Sequence, residues 1–126
     1  MSRSNEKPEF DTPQKEDLRP GQIVWVNFDP VTGREQAGHR PAIVIASEGY
    51  LKTVTELAMV LPLTTINRGW PNHIKVTGQT NLPEQSWAMT EQPRTISRRR
   101  ITSLAGIADE NCMAKIAWCL QRFLVL

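Results

Sequence analysis

Apolar and polar positions change rhythm several times along this chain. Gln22–Asp29 alternates, with Ile23, Trp25 and Asn27 on one side and Val24, Val26 and Phe28 on the other. Both sides are mostly apolar, so the run predicts a strand covered on both faces. Ala42-Ile43-Val44-Ile45-Ala46 is continuously apolar and rich in β-branched residues, the mark of a central strand. Leu57–Leu63, His73–Thr77 and Trp87–Glu91 predict three more strands, and Leu104–Ile107 a last short one. Glu48–Thr55 is polar and breaks the pattern, and Gly78–Gln85 reads as a loop. Gln92–Ser97 leaves the fifth strand, and Arg98–Arg100 predicts a short helical turn. The chain closes on a helix over about Glu110–Leu124. Met113, Ile116, Ala117, Leu120, Phe123 and Leu124 recur there at spacings of three and four, one apolar stripe behind Asp109 as N-cap. Strands this short, with one or two helices, predict a mostly β fold: a small, strongly bent barrel with a C-terminal helix.

Composition narrows the setting. A chain of 126 residues makes one domain, and 40% apolar residues supply one core but not two. Residues 1–19 are polar, contain two prolines and follow neither period, so a disordered tail is expected there. Arg19-Pro20-Gly21 is the turn that opens the folded domain, residues 20–126. No run approaches the roughly 18 apolar residues of a membrane span. No apolar segment at the start marks a secretory signal, so the cytoplasm is the expected compartment, with no membrane partner. Cys112 and Cys119 fall on the predicted helix about 10 Å apart, beyond the roughly 7 Å reach of a disulfide. With no CxxC and no histidine at ligand spacing, neither a metal nor a cofactor is expected. Net charge is +2, unevenly spread: residues 1–20 carry −1 and the other 106 carry +3. Arg94, Arg98, Arg99 and Arg100 fall within seven residues, a local sign of an anionic partner.

The densest polar chemistry lies between the first two strands, in Gly33-Arg34-Glu35-Gln36-Ala37-Gly38-His39-Arg40-Pro41. The loop is longer than a hairpin needs, as functional loops are. A carboxylate and a guanidinium five residues apart, braced by sheet at both ends, can act on a phosphodiester: one takes a proton, the other holds developing charge. The alternative is a solvated loop with a surface salt bridge.

Residues 21–47, GQIVWVNFDPVTGREQAGHRPAIVIAS, resemble the opening of the MazF/PemK family of toxin endoribonucleases. Two later blocks resemble it as well. One is Pro62-Leu63-Thr64-Thr65 with the turn Arg68-Gly69-Trp70-Pro71. The other is Glu91-Gln92-Pro93-Arg94-Thr95-Ile96-Ser97 followed by Arg99-Arg100-Ile101. The likeness runs from about Gly21 to the terminal helix. It implies an SH3-like barrel of the CcdB/PemK type, a homodimer, and metal-independent, sequence-specific cleavage of single-stranded RNA, blocked by a cognate antitoxin. The implied reaction is attack of a ribose 2′-OH on the adjacent phosphorus, giving a 2′,3′-cyclic phosphate and a 5′-OH.

Carried over by motif, Arg40 matches the family's essential arginine, a bidentate clamp for phosphate. Glu35 is the candidate base, or else a loop-ordering partner of Arg40. Thr64 matches the family's threonine. Thr65 is its neighbour, and only one of the two can face the site, because successive strand residues point opposite ways. Glu91 falls where the PemK branch has a catalytic acid. That branch's arginine two residues earlier is Met89 here, which favours the Glu35/Arg40 arrangement. Gln92 and Arg94 suit base and phosphate contacts, and Arg34, Gln36, His39 and Arg68 complete the RNA-contacting set. His39 is otherwise a solvated loop residue. Trp70 stacks on an unpaired base or lies at a dimer interface. His73 reads as structural, and Trp25, Trp87 and Trp118 as core or interface. Rival readings are a gyrase poison of the CcdB type and a nucleic-acid-binding barrel without catalysis.

Overall fold

The computed structural model describes residues 17–28 and 38–125. Among these described residues, eight strands, two α-helices and a 3₁₀ turn follow in order: β1 Gln22–Asn27, β2 His39–Val44, α1 Glu48–Thr53, β3 Leu57–Thr64, β4 His73–Lys75, β5 Gly78–Gln79, β6 Trp87–Met89, β7 Arg94–Ser97, the turn Arg98–Arg100, β8 Ile101–Ala108 and α2 Glu110–Phe123. The strands form one sheet in the order β4-β6-β3-β2-β1-β8-β5, with β7 also paired to β3. Every pairing is antiparallel. The sheet curls into a half-barrel. β3 is its hub: Leu57–Val60 pairs with β7, and Leu63 and Thr64 pair with β6. β1 and β8 slip register twice, between Ile23 and Val24 and between Trp25 and Val26. Such bulges bend a strand and deepen its twist, which produces the curl.

Both faces of the sheet are buried, so the single core expected from composition is in fact two clusters sharing the same strands. The inner one holds Val24, Val26, Phe28, Ala42, Val44, Ala58, Val60, Ile96 and Ile101, closed by Leu51 of α1. The outer one holds Ile23, Ile43, Leu61, Leu63, Ile74 and Ala88 against Cys112, Ile116 and Cys119 of α2. One alternating strand serves both, as β1 does with Ile23 outward and Val24 inward. Leu18 is also buried in the inner cluster. Packed structure therefore begins before Pro20, and residues 1–16 lie outside the described residues.

Several elements differ from expectation. The polar break after β2 is the helix α1, started by Ser47, whose Oγ accepts from the Tyr50 amide at 3.1 Å. Only Leu51 of its six residues is buried, so it shows no apolar period. Arg98 secures its far end. Its buried guanidinium donates to the carbonyls of Leu51 (2.6 Å), Val54 (3.1 Å) and Leu57 (2.9 Å). Arg98 is thus a structural cation and leaves the anionic-partner group proposed for residues 94–100. β7 and β5 occupy segments read as irregular, and β8 is twice the expected length. β5 approaches β8 and α2 closely: at Gly78 (φ +117°) a Cβ would lie 2.6 Å from the Asp109 nitrogen.

α2 has its expected N-cap, Asp109 accepting from the Cys112 amide at 2.8 Å. Its buried ridge is Cys112, Ile116 and Cys119, with Met113 and Leu120 at the edge. Ala117, Phe123 and Leu124 face outward. The stripe is rotated because the two cysteines act as small apolar residues. Both cysteines are free. Trp118 is no core residue: it is 58% exposed, with the Arg122 guanidinium 3.7 Å above its ring. Among the described residues no helix is long and apolar enough to cross a membrane.

Candidate active site

Strand pairing gathers three of the sequence-derived residues. Arg40 lies inside β2 rather than in the loop before it, because the β1 ladder runs on to Val26↔Arg40 and Asn27↔His39. Pro41 is accommodated there, where β2 has β1 on one side and the β3 ladder starts only at Ala42↔Pro62. Arg40 shares its face with its buried partner Val26, so its side chain points to the inner side of the curl. Extending the β2–β3 register by two residues sets Arg40 across from Thr64. The side chains agree: Arg40 Nη1 donates to the carbonyl of Leu63, the residue before Thr64, at 3.3 Å. Arg94 pairs with Val60 and so joins the same face. Its guanidinium carbon lies 4.8 Å from the centroid of the Phe28 ring. The inner face therefore carries Arg40, Thr64 and Arg94, with Arg94 over Phe28. The sequence gives no local sign of Phe28's part, since it reads as one more core residue.

Electrostatics at this rim favour an anion. Arg40 is half-buried, and burial draws its guanidinium below its ordinary value, yet an arginine stays charged in a protein. Thr64 is 5% exposed, and its Oγ1 accepts from the Ile66 amide at 3.2 Å. The hydroxyl oxygen is thereby fixed while its hydrogen remains able to donate. Thr65 is exposed beyond the strand. Of the two threonines, Thr64 is the one on the Arg40 face.

The remaining candidates lie elsewhere. His39 is next to Arg40 in β2 and so points to the outer face, where its ring stacks on Trp25 at 5.4 Å and 29°. Trp70 is 49% exposed, with its ring 4.7 Å from that of His73 and the Arg68 guanidinium 5.7 Å away. His73 is buried, and its Nε2 contacts both Glu91 oxygens at 3.0 and 3.1 Å, while Asn72 Nδ2 donates to Glu91 at 2.8 Å. Burial pushes the Glu91 carboxyl up, but hydrogen bonds from His73, its own amide and Gln92, with the charge of His73, outweigh it and hold it below its ordinary value. Glu91 is thus committed to bracing the Trp70 turn. Gln92 is half-buried beside Met89. Arg34, Glu35 and Gln36 lie outside the described residues.

A curled sheet backed by one long helix, with two guanidinium groups and a buried threonine hydroxyl at one rim, is a small half-barrel equipped to hold an anion. A model of the PemK-like, MazF-like toxins of type II toxin–antitoxin systems matches residues 19–124. The chain belongs to this family. It is 37% identical over 79 residues to the endoribonuclease toxin MazF of Escherichia coli (strain K12), covering 63% of this chain and 68% of that protein. Endoribonuclease EndoA of Bacillus subtilis (strain 168) is 27% identical over 111 residues, 86% of this chain and 96% of the relative. The crystal structure of MazF (Form-I) from Deinococcus radiodurans shares the fold, with a TM-score of 0.75 at 26% identity over 84% of this chain and 94% of that one. A MazE–MazF structure (Form-II) from the same organism superposes with a TM-score of 0.68 at 26% identity and the same coverage.

Proposed function

We propose that this chain, an endoribonuclease by family, cuts single-stranded RNA at a defined sequence without a metal and is held inactive by a cognate antitoxin. The observation that carries the reading is the placement of Arg40, Thr64 and Arg94 on one face of the sheet. The nucleophile is the substrate's own 2′-OH, so the protein need supply only a base, a charge clamp and an acid. Glu35 takes the 2′-OH proton as the oxygen attacks phosphorus. Arg40 holds the charge that builds on the phosphorane oxygens, its planar fork matching two of them. Thr64 Oγ1, anchored by the Ile66 amide, donates its hydrogen to a phosphate oxygen. The P–O5′ bond breaks and the proton that Glu35 accepted passes through water to the leaving 5′-oxygen, giving a 2′,3′-cyclic phosphate and a 5′-OH. DNA lacks the nucleophile and is not cut.

The partners fit the surface. Trp118, Phe123 and Leu124 are exposed, and a groove of about 280 Å³ lies among Pro71, Asn72, Trp118, Cys119, Arg122 and Phe123. Contiguous exposed apolar surface marks a protein contact, and a homodimer and an antitoxin segment are the occupants we propose. The setting is the cytoplasm, where the thiols of Cys112 and Cys119 stay reduced. The test is a defined transcript incubated with pure protein in excess EDTA: discrete fragments with 2′,3′-cyclic phosphate ends are expected. A strict need for added Mg²⁺ sinks the mechanism, and intact RNA sinks the nuclease.

A further inference from the structure

The outer face of the β1–β2 hairpin carries an aromatic pair that the reaction above does not use. Trp25 and Pro41 are cross-strand partners, and His39 sits diagonally next to Trp25 on the same face. The Trp25 and His39 rings stack at 5.4 Å and 29°. Trp25 is half-buried and His39 exposed, so the pair is open to solvent.

The pair is built rather than incidental. β8 slips register here, Trp25 pairing with Ser103 and Val26 with Ile101, which leaves Thr102 as the extra residue of a bulge. Bulges re-aim side chains. This one brings Thr102 Oγ1 to 2.7 Å from His39 Nε2. The Thr102 hydroxyl also reaches the Trp25 carbonyl at 3.4 Å, so Thr102 contacts both members of the pair. Arg100 donates to the Asn27 carbonyl at 3.1 Å, and Asn27 pairs with His39. A cation therefore lies at the same end of the hairpin.

We propose that Trp25, His39 and Thr102 form a second nucleotide subsite, a stacking platform for an unpaired base one or two nucleotides from the bond that is cut. The proposal rests on the endoribonuclease reading. His39 and Arg40 are consecutive strand residues, so their side chains leave opposite faces of β2. A strand of RNA crossing the end of this hairpin places one phosphate against Arg40 on the inner face and a neighbouring base against His39 on the outer face. Aromatic faces accept any base, and the positive charge of Arg100 suits the linking phosphate. Trp25 and His39 then fix which phosphate reaches Arg40. They are positioning residues.

The test uses the full-length protein and a 2′-O-methyl oligonucleotide spanning a mapped cut site, with an abasic residue placed at each position in turn. In wild type, one abasic position next to the cut should weaken binding by roughly tenfold. His39→Leu and Trp25→Leu should remove that penalty, and His39→Phe, which keeps an aromatic face, should retain it. In cleavage of the all-ribose oligonucleotide, the leucine variants should raise KM by about the same factor and leave kcat near wild type. A flat abasic profile in wild type, or a penalty that survives His39→Leu, overturns the platform while cleavage by wild type upholds the nuclease. If the leucine variants leave the profile unchanged and weaken only self-association in sedimentation, the face is a protein interface and the proposal falls. If wild type neither binds nor cuts RNA, the endoribonuclease reading fails first.

Discussion

Arg40 is fixed by its own strand and bonded to the next, so its head group is placed before any substrate arrives. Replacing it by alanine should lower single-turnover cleavage by about 10²–10³, the usual effect of deleting a group that stabilises a developing oxyanion. The fold should persist, because the side chain is half-buried and its bond to the Leu63 carbonyl joins strands already paired. Arg40→Lys should recover little, since an ammonium cannot match two oxygens. Glu91 makes a different prediction. Its carboxyl is depressed below the ordinary value of 4.5, so its ionised form stabilises the folded state above that pH, and the contribution is lost as pH falls through the folded value. Thermal melting between pH 3 and pH 6 should therefore drop more steeply in wild type than in Glu91→Gln. Much of the site could be read from the sequence, because Arg40, Thr64 and Arg94 stand in short blocks with recognisable residues. The division of neighbours between faces could not. Whether Thr64 or Thr65 turns inward depends on where β3 ends, and whether His39 shares the strand with Arg40 depends on where β2 begins, in a stretch that reads as loop.

α1 hangs on one side chain from another part of the chain. The carbonyls of Leu51 and Val54 at its end, and that of Leu57 at the start of β3, accept from the Arg98 guanidinium, and α1 is too short to hold itself together. Arg98→Ala should cost about 2–4 kcal/mol in urea denaturation, because it leaves the buried Leu51 carbonyl without its donor and loosens the part-buried carbonyls of Val54 and Leu57. Arg98→Lys should restore only part, having one nitrogen where the fork has three. The same dependence explains why α1 escaped the sequence pattern: its stability comes from residue 98, and only Leu51 records its burial. The long strands β1, β2 and β3 were legible because burial on both faces requires apolar residues at nearly every position. β5 and β7 were not, since two and four residues carry too little alternation. α2 was legible in extent but not in rotation, as its ridge runs through two cysteines rather than through leucines.

A protein with a net charge of only +2 draws a polyanion through the local placement of its cations, not through its overall field. Arg40 and Arg94 face the inner side, and Arg100 is bonded to the Asn27 carbonyl at the end of β1. If these three meet three phosphates of a single strand, log K should fall with log salt at a slope of about −2, near −0.7 for each contact. Raising salt from 50 to 200 mM should then weaken binding by about twentyfold. Arg94→Ala should flatten the slope by about 0.7, while a charge-neutral change on the α2 surface such as Trp118→Leu should leave it alone. Titrating a fluorescent 2′-O-methyl oligonucleotide at four salt concentrations measures all three slopes. A slope near zero in wild type would mean that the apolar groove beside α2, not the arginine rim, takes the RNA. A slope unchanged by Arg94→Ala would move the path of the strand off the inner face.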